Sequence, residues 1–415
     1  MSKGLPVSPL APADTPVAAV LPGIALGSTY AALRYKPGRN DLLLVTLPAG
    51  TACAGVFTRS LTASPAVRAC QEALAASGGR ARALIVAAGN SIAGTGAGGH
   101  TACSEIVTTA GHQLGCPAEE VMFAATGVIG EPFPTAKLLA SLPAAQAAAQ
   151  AQGWGEAAQT ICTTDTYPKL VTDTLRVSGT DIRITGFIKG SGMIQPNMAT
   201  MLGFIFTDAA IAPDVLQTLL RDVSERTFNC ITVDSDTSTS DTILAFATGS
   251  AGNTLISESN SEDARSFARL LEKTCLALAQ LVVRDGEGAQ KFITINVSGA
   301  SSFDSARKIG LSIANSPLMK TAIAGEDANW GRVVMAVGKA GEPIDTDSLS
   351  VAFGGTTICR HGMRVAGYDE APVAAHLGTR DIVIDVDVGV GTGRATVYTC
   401  DLTHGYISIN ADYRS

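Results

Sequence analysis

Aromatic side chains make up only 5% of this 415-residue sequence and charged ones only 16%. Acids outnumber bases 37 to 30, the net charge is −7, and no basic run occurs. A nucleic-acid partner, which needs clustered cations and stacking rings, is not expected. No run reaches the about 18 consecutive apolar residues that mark a membrane span, so no membrane association is expected. The N-terminus has one early Lys and a short apolar run broken by Pro22. It lacks the h-region and cleavage site of a signal peptide and reads as a lead-in. The nine cysteines are odd in number, scattered and without a CxxC pair. They read as buried reduced thiols, which suits a cytoplasmic protein. There is no repeat with a period of about 20–50 residues. There is no GxSxG elbow, since Lys189 stands where the first Gly would be, and no HExxH.

What is abundant is apolar and small. Hydrophobic residues reach 46%, with 43 Gly and 18 Pro. This excludes a disordered chain and favours a strand- and turn-rich α/β protein over a helical bundle. Length allows two to three domains or one large two-lobed fold. Apolar runs and alternation predict strands at 42–47, 83–88, 121–125, 170–177, 181–188, 202–207, 242–247, 292–297, 348–353, 381–388, 395–401 and 406–410. Helical periodicity predicts helices at 262–283 and near 101–115, 135–150, 213–226, 302–314 and 329–338. The Ala/Gln-rich stretch 144–158 either ends a helix or links two elements.

Several motifs invite chemistry, and most have a plainer reading. Gly94–Gly99 satisfies GxGxxG between a strand and a helix. The interval after the strand is longer than a dinucleotide turn allows, so a plain Gly-rich loop is the better reading. Ser305 and Lys308 form an SxxK in mid-helix without its companion motifs. Cys359 and His361 are two soft ligands, too few for a metal centre. The run 234–241, DSDTSTSD, could hold a hard cation, but it lacks the Gly and the bidentate Glu of a calcium loop. It reads better as a hydroxyl-rich turn bonded to its own backbone. The run 187–206, FIKGSGMIQPNMATMLGFIF, is a strand, a Gly-rich turn, a Pro-Asn and a new strand.

The segment KGSGMIQPNMATML resembles the self-cleavage region of the ornithine acetyltransferase (glutamate N-acetyltransferase) family of arginine biosynthesis. ATGVIGEPFP (125–134), TTDTYPK (163–169), ITVDSDTSTSDT (231–242), RDGEGAQK (284–291), GEDANWGR (325–332), CDLTHGYISINADYRS (400–415) and the AGTGAGG loop are similar to family segments, in family order. The resemblance runs from about residue 20 to the end. It implies an α/β (α+β) fold, a layered α/β/β/α-type sandwich with largely antiparallel sheets. Two chains would form it, an α chain 1–199 and a β chain 200–415, made by autocatalytic cleavage at Ala199–Thr200 and assembled as an α2β2 heterotetramer.

The implied chemistry is coherent. Attack of the Thr200 hydroxyl on the Ala199 carbonyl gives an ester that water cleaves. The new N-terminal amine of Thr200, with a reference pKa of about 7.7–8.0, can then act as base for the hydroxyl beside it. Acetyl passes from N-acetylornithine to Thr200 and on to glutamate. Oxyanion donors are implied at Thr126 and Gly127, in the turn after strand 121–125. Substrate contacts are implied at Thr163, Lys189, Thr200, Glu287, Asn410 and Ser415. No cofactor or metal is implied, and acetyl-CoA is a conceivable second donor. Glu326 and Asp327 read as structural acids beside a helix start. Gln195, Ser235, Ser240 and Ser415 depart from the common family residues without removing a needed group. The rivals are a self-processed hydrolase or aminopeptidase, a dinucleotide-dependent oxidoreductase using 83–120, and a non-catalytic binding protein.

Overall fold

The computed structural model describes residues 6–195 and 201–412. Ala199, Thr200 and Ser415 lie outside the described residues. Two sheets stacked face to face form the centre. The first has four strands in the order Ala25–Thr29, Leu42–Thr46, Ala83–Asn90 and Val121–Val128. Its first three are antiparallel and the last pair parallel. The second has five strands in the order Ala52–Phe57, Thr242–Ala247, Leu202–Thr207, Thr180–Lys189 and Lys169–Val177. Leu202–Thr207 runs parallel to Thr242–Ala247, and the other pairs are antiparallel.

Strand alternation explains the stacking. Leu43, Val45, Leu84, Val86, Met122 and Ala124 face inward from the first sheet, and Phe187, Phe204, Phe206, Leu244 and Phe246 from the second. Phe206 stacks on Phe246 with centroids 5.0 Å apart, and Trp154 meets Phe206 edge-on at 5.3 Å. Each fully buried ring contributes about 1.5–3 kcal/mol. The outer face of the first sheet packs on helices Gly96–Leu114 and Thr135–Ala147 through Ile85, Phe123, Ile106, Leu138 and Leu142. The outer face of the second packs on Pro213–Arg226 and Glu262–Arg284 through Ile184, Ile205, Leu216, Phe267 and Leu278. The expected α/β/β/α sandwich is present.

A third sheet of six strands, Met363–Arg364, Thr356–Arg360, Ser350–Phe353, Asp381–Asp387, Phe292–Ala300 and Gly393–Cys400, has its own core against Phe303–Ala314, Trp330–Gly338 and Ala371–Leu377. It leans on the sandwich through Phe292, Tyr398 and Cys400, which pack into the core beneath helix Glu262–Arg284.

The position of Leu202–Thr207 matters most for the site. This strand opens two residues after Thr200 and is bordered by Thr180–Lys189 on one side and Thr242–Ala247 on the other. Residues before and after position 200 are thus woven into one sheet.

One expected element is wrong. Residues 406–410 are not a strand; they belong to helix His404–Asp412. The Ile-Ser-Ile-Asn alternation mimics a strand. A helical turn instead lets Asn410 donate to the Tyr406 carbonyl at 3.0 Å. The Ala/Gln-rich stretch ends one helix at Ala147 and starts another, Trp154–Thr160, whose Trp154 is buried.

Candidate active site

Thr126, Gly127, Thr163, Lys189, Glu287 and Asn410 line one cavity of about 220 Å³, together with Met201 and Leu202, which directly follow Thr200. Six positions spread over almost three hundred residues converge there. Ser415 and Thr200 lie outside the described residues.

Thr126 and Gly127 stand within strand Val121–Val128, not in a turn after it as expected. Parallel pairing continues through both, with Thr126 opposite Ala88 and Gly127 opposite Gly89. Gly127 has φ +132°, and a Cβ there would sit 2.2 Å from the Gly89 carbonyl carbon and 2.6 Å from the Asn90 nitrogen. Two main chains approach too closely for any side chain, so the position requires glycine. Lys189, the last residue of its strand, donates from Nζ to Thr126 Oγ1 at 3.3 Å.

Behind the cavity lies an ion cluster with no solvent exposure. Lys169 Nζ donates to Asp165 Oδ1 and to Asp285 Oδ2, both at 2.6 Å. Asp165 also accepts from the backbone of Thr163 at 2.9 Å and of Gly190 at 2.7 Å. Asp285 accepts from the backbone of Thr166 at 2.9 Å and from its hydroxyl. One buried lysine therefore ties together the loop carrying Thr163, the end of the strand carrying Lys189, and the turn carrying Glu287. Burial alone would raise the Asp165 pKa, but Lys169, Lys189 and these hydrogen bonds hold it well below the carboxylate range. Burial would likewise lower Lys169, yet the two carboxylates push it above the usual lysine value. The segments TTDTYPK and RDGEGAQK are thereby explained as two halves of one support.

The turn after Asp285 shows why it is glycine-rich. A Cβ on Gly286 would meet Cys400 Sγ at 2.7 Å, and one on Gly288 (φ +76°) would meet the Tyr406 nitrogen at 2.4 Å. That contact lays the C-terminal helix against the turn, where Thr403 Oγ1 donates to the Gly288 carbonyl at 2.7 Å. Asn410 Nδ2 then reaches Glu287 Oε2 at 2.8 Å. Gly192 leaves room on the other side, since a Cβ there would lie 2.5 Å from the Glu287 carboxyl. Burial raises the Glu287 pKa above the ordinary glutamate value, with the Asn410 and Thr164 hydrogen bonds opposing.

Sequence reasoning missed part of the lining: Ser91, Thr164, Ser238, Thr239, Ser240 and Asp241 also face the cavity. Ser91 Oγ meets Ser240 Oγ at 3.2 Å, and Thr164 Oγ1 meets Ser191 Oγ at 2.7 Å. Their density in hydroxyls was the available signal.

The other motifs have structural roles. The Gly-rich loop opens helix Gly96–Leu114, where a Cβ on Gly99 would lie only 2.8 Å from Pro65 Cγ. Cys359 is buried, whereas His361 is exposed and faces the Asp347 carbonyl. Among the described residues, no group of three or more His, Cys, Asp or Glu could hold a metal ion. Glu326 pairs with Lys291 at 3.0 Å, and Asp327 accepts from Asn329, which caps helix Trp330–Gly338. All nine cysteines are unpaired, Cys116 being the one that is not fully buried. Among the described residues no helix is long and apolar enough to cross a membrane.

The ArgJ family model matches residues 25–415. The arginine biosynthesis bifunctional protein ArgJ of Zymomonas mobilis is 52% identical over 99% of this chain and 99% of its own length. That of Gluconobacter oxydans is 51% identical over 100% of this chain and 97% of its own. In the crystal structure of the arginine biosynthesis bifunctional protein ArgJ from Bacillus halodurans, all of the solved chain superposes on 52% of this one, with 38% identity and a TM-score of 0.50. A family model spanning the site and relatives aligned nearly end to end lead to one assignment: the chain belongs to the ArgJ family.

Proposed function

We propose that this protein is the acetyltransferase of arginine biosynthesis that moves acetyl from N-acetylornithine to glutamate. The observation that carries the reading is the convergence of Thr126, Gly127, Thr163, Lys189, Glu287 and Asn410 on the cavity entered by the strand that starts just after Thr200.

The steps follow from that arrangement. In the first, the Thr200 hydroxyl attacks the Ala199 carbonyl carbon. The peptide C–N bond breaks, the hydroxyl proton passes to the released amine, and water hydrolyses the ester. The products are 1–199, ending in a carboxylate, and 200–415, beginning with Thr200. The free amine then takes the Thr200 hydroxyl proton during attack on the acetyl group of N-acetylornithine. Thr126 and Gly127 stabilise the oxyanion, a role worth about 10²–10³ in rate per donor. Ornithine leaves, and the amine of glutamate attacks the acetyl-Thr200 ester to give N-acetylglutamate. Glu287 pairs with a substrate ammonium and Lys189 with a substrate carboxylate. Thr163, Asn410 and Ser415 supply neutral hydrogen bonds.

Acetyl-CoA enters as an alternative donor, in keeping with the word bifunctional in the relatives' names; no cofactor is required. The Bacillus halodurans chain, about half as long as this one, has the size of a single cleavage product. We propose a cytoplasmic location, where arginine biosynthesis would supply the substrates, and the α2β2 assembly.

The test is the intact mass of the purified, denatured protein and the N-terminal sequence of its pieces. The expected result is two chains, the second reading TMLGFIFTDA, and one uncut, inactive chain for Thr200→Ala. A folded, uncut and fully active wild type would overturn the reading. Release of acetate in place of N-acetylglutamate would point to a hydrolase.

A further inference from the structure

The hydroxyl- and acid-rich segment 232–242 spends its polar groups on neighbouring main chain. It grips the chain on both sides of the Ala199–Thr200 bond. Upstream, the Asp234 carboxylate accepts from the backbone N–H of Met193 at 2.7 Å and of Ile194 at 2.8 Å. The Val233 N–H donates to the Ile194 carbonyl at 2.7 Å, and the Gln195 N–H donates to the Asp236 carbonyl at 2.9 Å. Thr237 Oγ1 adds a bond to the Gln195 carbonyl at 3.1 Å. Downstream, the Thr242 N–H donates to the Met201 carbonyl at 3.0 Å, and Leu202 enters the sheet between Lys189 and Thr242.

One continuous stretch thus fixes Gln195 at its beginning and Met201 at its end. The five residues between these anchors contain the bond to be cut. Met193 is held at φ +59°, a left-handed conformation that a long side chain rarely adopts. The charge-assisted bonds from Asp234 to Met193 and to the next residue hold it there.

We propose that segment 232–242 is an internal splint for self-cleavage, and that Asp234 is its chief positioning residue. Attack of Thr200 Oγ on the Ala199 carbonyl needs the two atoms near about 3–3.5 Å with aligned geometry, and a span anchored at both ends reaches it far more often than a free one. Asp234 does not itself line the cavity, but it holds the lining residue Met193, accepts from the Tyr406 hydroxyl at 3.3 Å and adds to the rise of the Glu287 pKa. Its loss should therefore slow cutting far more than acetyl transfer. The proposal rests on the self-cleavage reading.

The experiment follows freshly translated full-length protein by intact mass over time, for wild type, Asp234→Asn, Thr237→Val and Asp236→Asn. An amide at 234 can accept from one of the two N–H groups but presents its own N–H₂ to the other. We expect Asp234→Asn to cut at least tenfold more slowly with a melting temperature near that of the wild type. After prolonged incubation its cleaved form should recover acetyl transfer, which a general loss of structure would not allow. Thr237→Val, at an exposed site, should cut several-fold more slowly. Asp236→Asn, which keeps its carbonyl contact, should cut at the wild-type rate. Wild-type cutting rates in both Asp234→Asn and Thr237→Val would overturn the splint. Should Asp234→Asn fail to fold, a wild-type rate in Thr237→Val overturns it alone. A wild type that never cuts overturns the self-cleavage reading instead.

Discussion

Replacing Lys169 by Met tests how the site is held. The two side chains have similar length, so packing is nearly kept while the charge is removed. Asp165 and Asp285, each 2.6 Å from the ammonium and without solvent exposure, are left facing one another. Removing one partner of a buried ion pair costs about 3–5 kcal/mol. At about 2 °C per kcal/mol in a chain of this size, the melting temperature should fall by about 6–10 °C in calorimetry. Activity should fall further than stability explains, because Thr163, Gly190 and the Glu287 turn lose their common anchor. The cause can be isolated by adding Asp285→Asn. Alone, that change strips a partner from Lys169 and should destabilise. In the Lys169→Met background it removes a charge repelled by Asp165, so it should restore at least about 1 kcal/mol of coupling. A single variant melting within about 1 °C of wild type, or strict additivity in the double variant, would refute the view of the cluster as an electrostatic anchor.

Two further outcomes follow from the geometry. Gly127→Ala would place a methyl 2.2 Å from the Gly89 carbonyl carbon. The strand ends must then part, and we expect kcat to fall by about 10²-fold or more from a displaced oxyanion donor, measured with cleaved enzyme. Unchanged kcat would remove Gly127 from the mechanism. Burial raises the Glu287 pKa, so its protonated form persists to higher pH than for an ordinary glutamate. The acid limb of kcat/KM for N-acetylornithine, the substrate with a free ammonium, should accordingly lie above the usual glutamate range, with activity lost as pH falls through it. Glu287→Gln should raise KM and abolish that limb; a limb that persists in the variant belongs to another group.

Much of this was legible in the sequence because the relevant signals are local. Strands 202–207 and 242–247 and helix 213–226 coincide with their apolar periodicity and with Pro213 at a helix start. Strand Ala52–Phe57 was not found, because its ACAGVF is small and uniformly buried and carries no alternation. The short helix Pro317–Ala324 was hidden for a similar reason, being too brief for a periodic stripe. The site divides in the same way. Thr126, Gly127, Thr163, Lys189, Glu287 and Asn410 were found through motif resemblance, which records chemistry without geometry. What joins them was invisible. Nothing in TTDTYPK announces that its Lys169 meets Asp285 of RDGEGAQK, 116 residues on. Asn410 was named on a misread strand and still reaches the cavity from a helix, since Ile-Ser-Ile-Asn alternation and one turn of helix look alike over five residues.

The interleaving of the five-stranded sheet has a consequence for the life of the molecule. Three of its strands precede position 200 and two follow it, and the two sit between members of the three. An uncut chain can unfold and refold as a unimolecular event, at a rate independent of concentration. Once the bond is cut, the products cannot part without tearing the sheet open, and cannot come back together without meeting in solution. Cleavage at the proposed bond would thereby change the molecularity of refolding from one to two. The cut enzyme would gain a dilution-dependent recovery that the uncut chain lacks, and its lifetime after heating would be governed by the barrier to unfolding more than by the equilibrium beneath it.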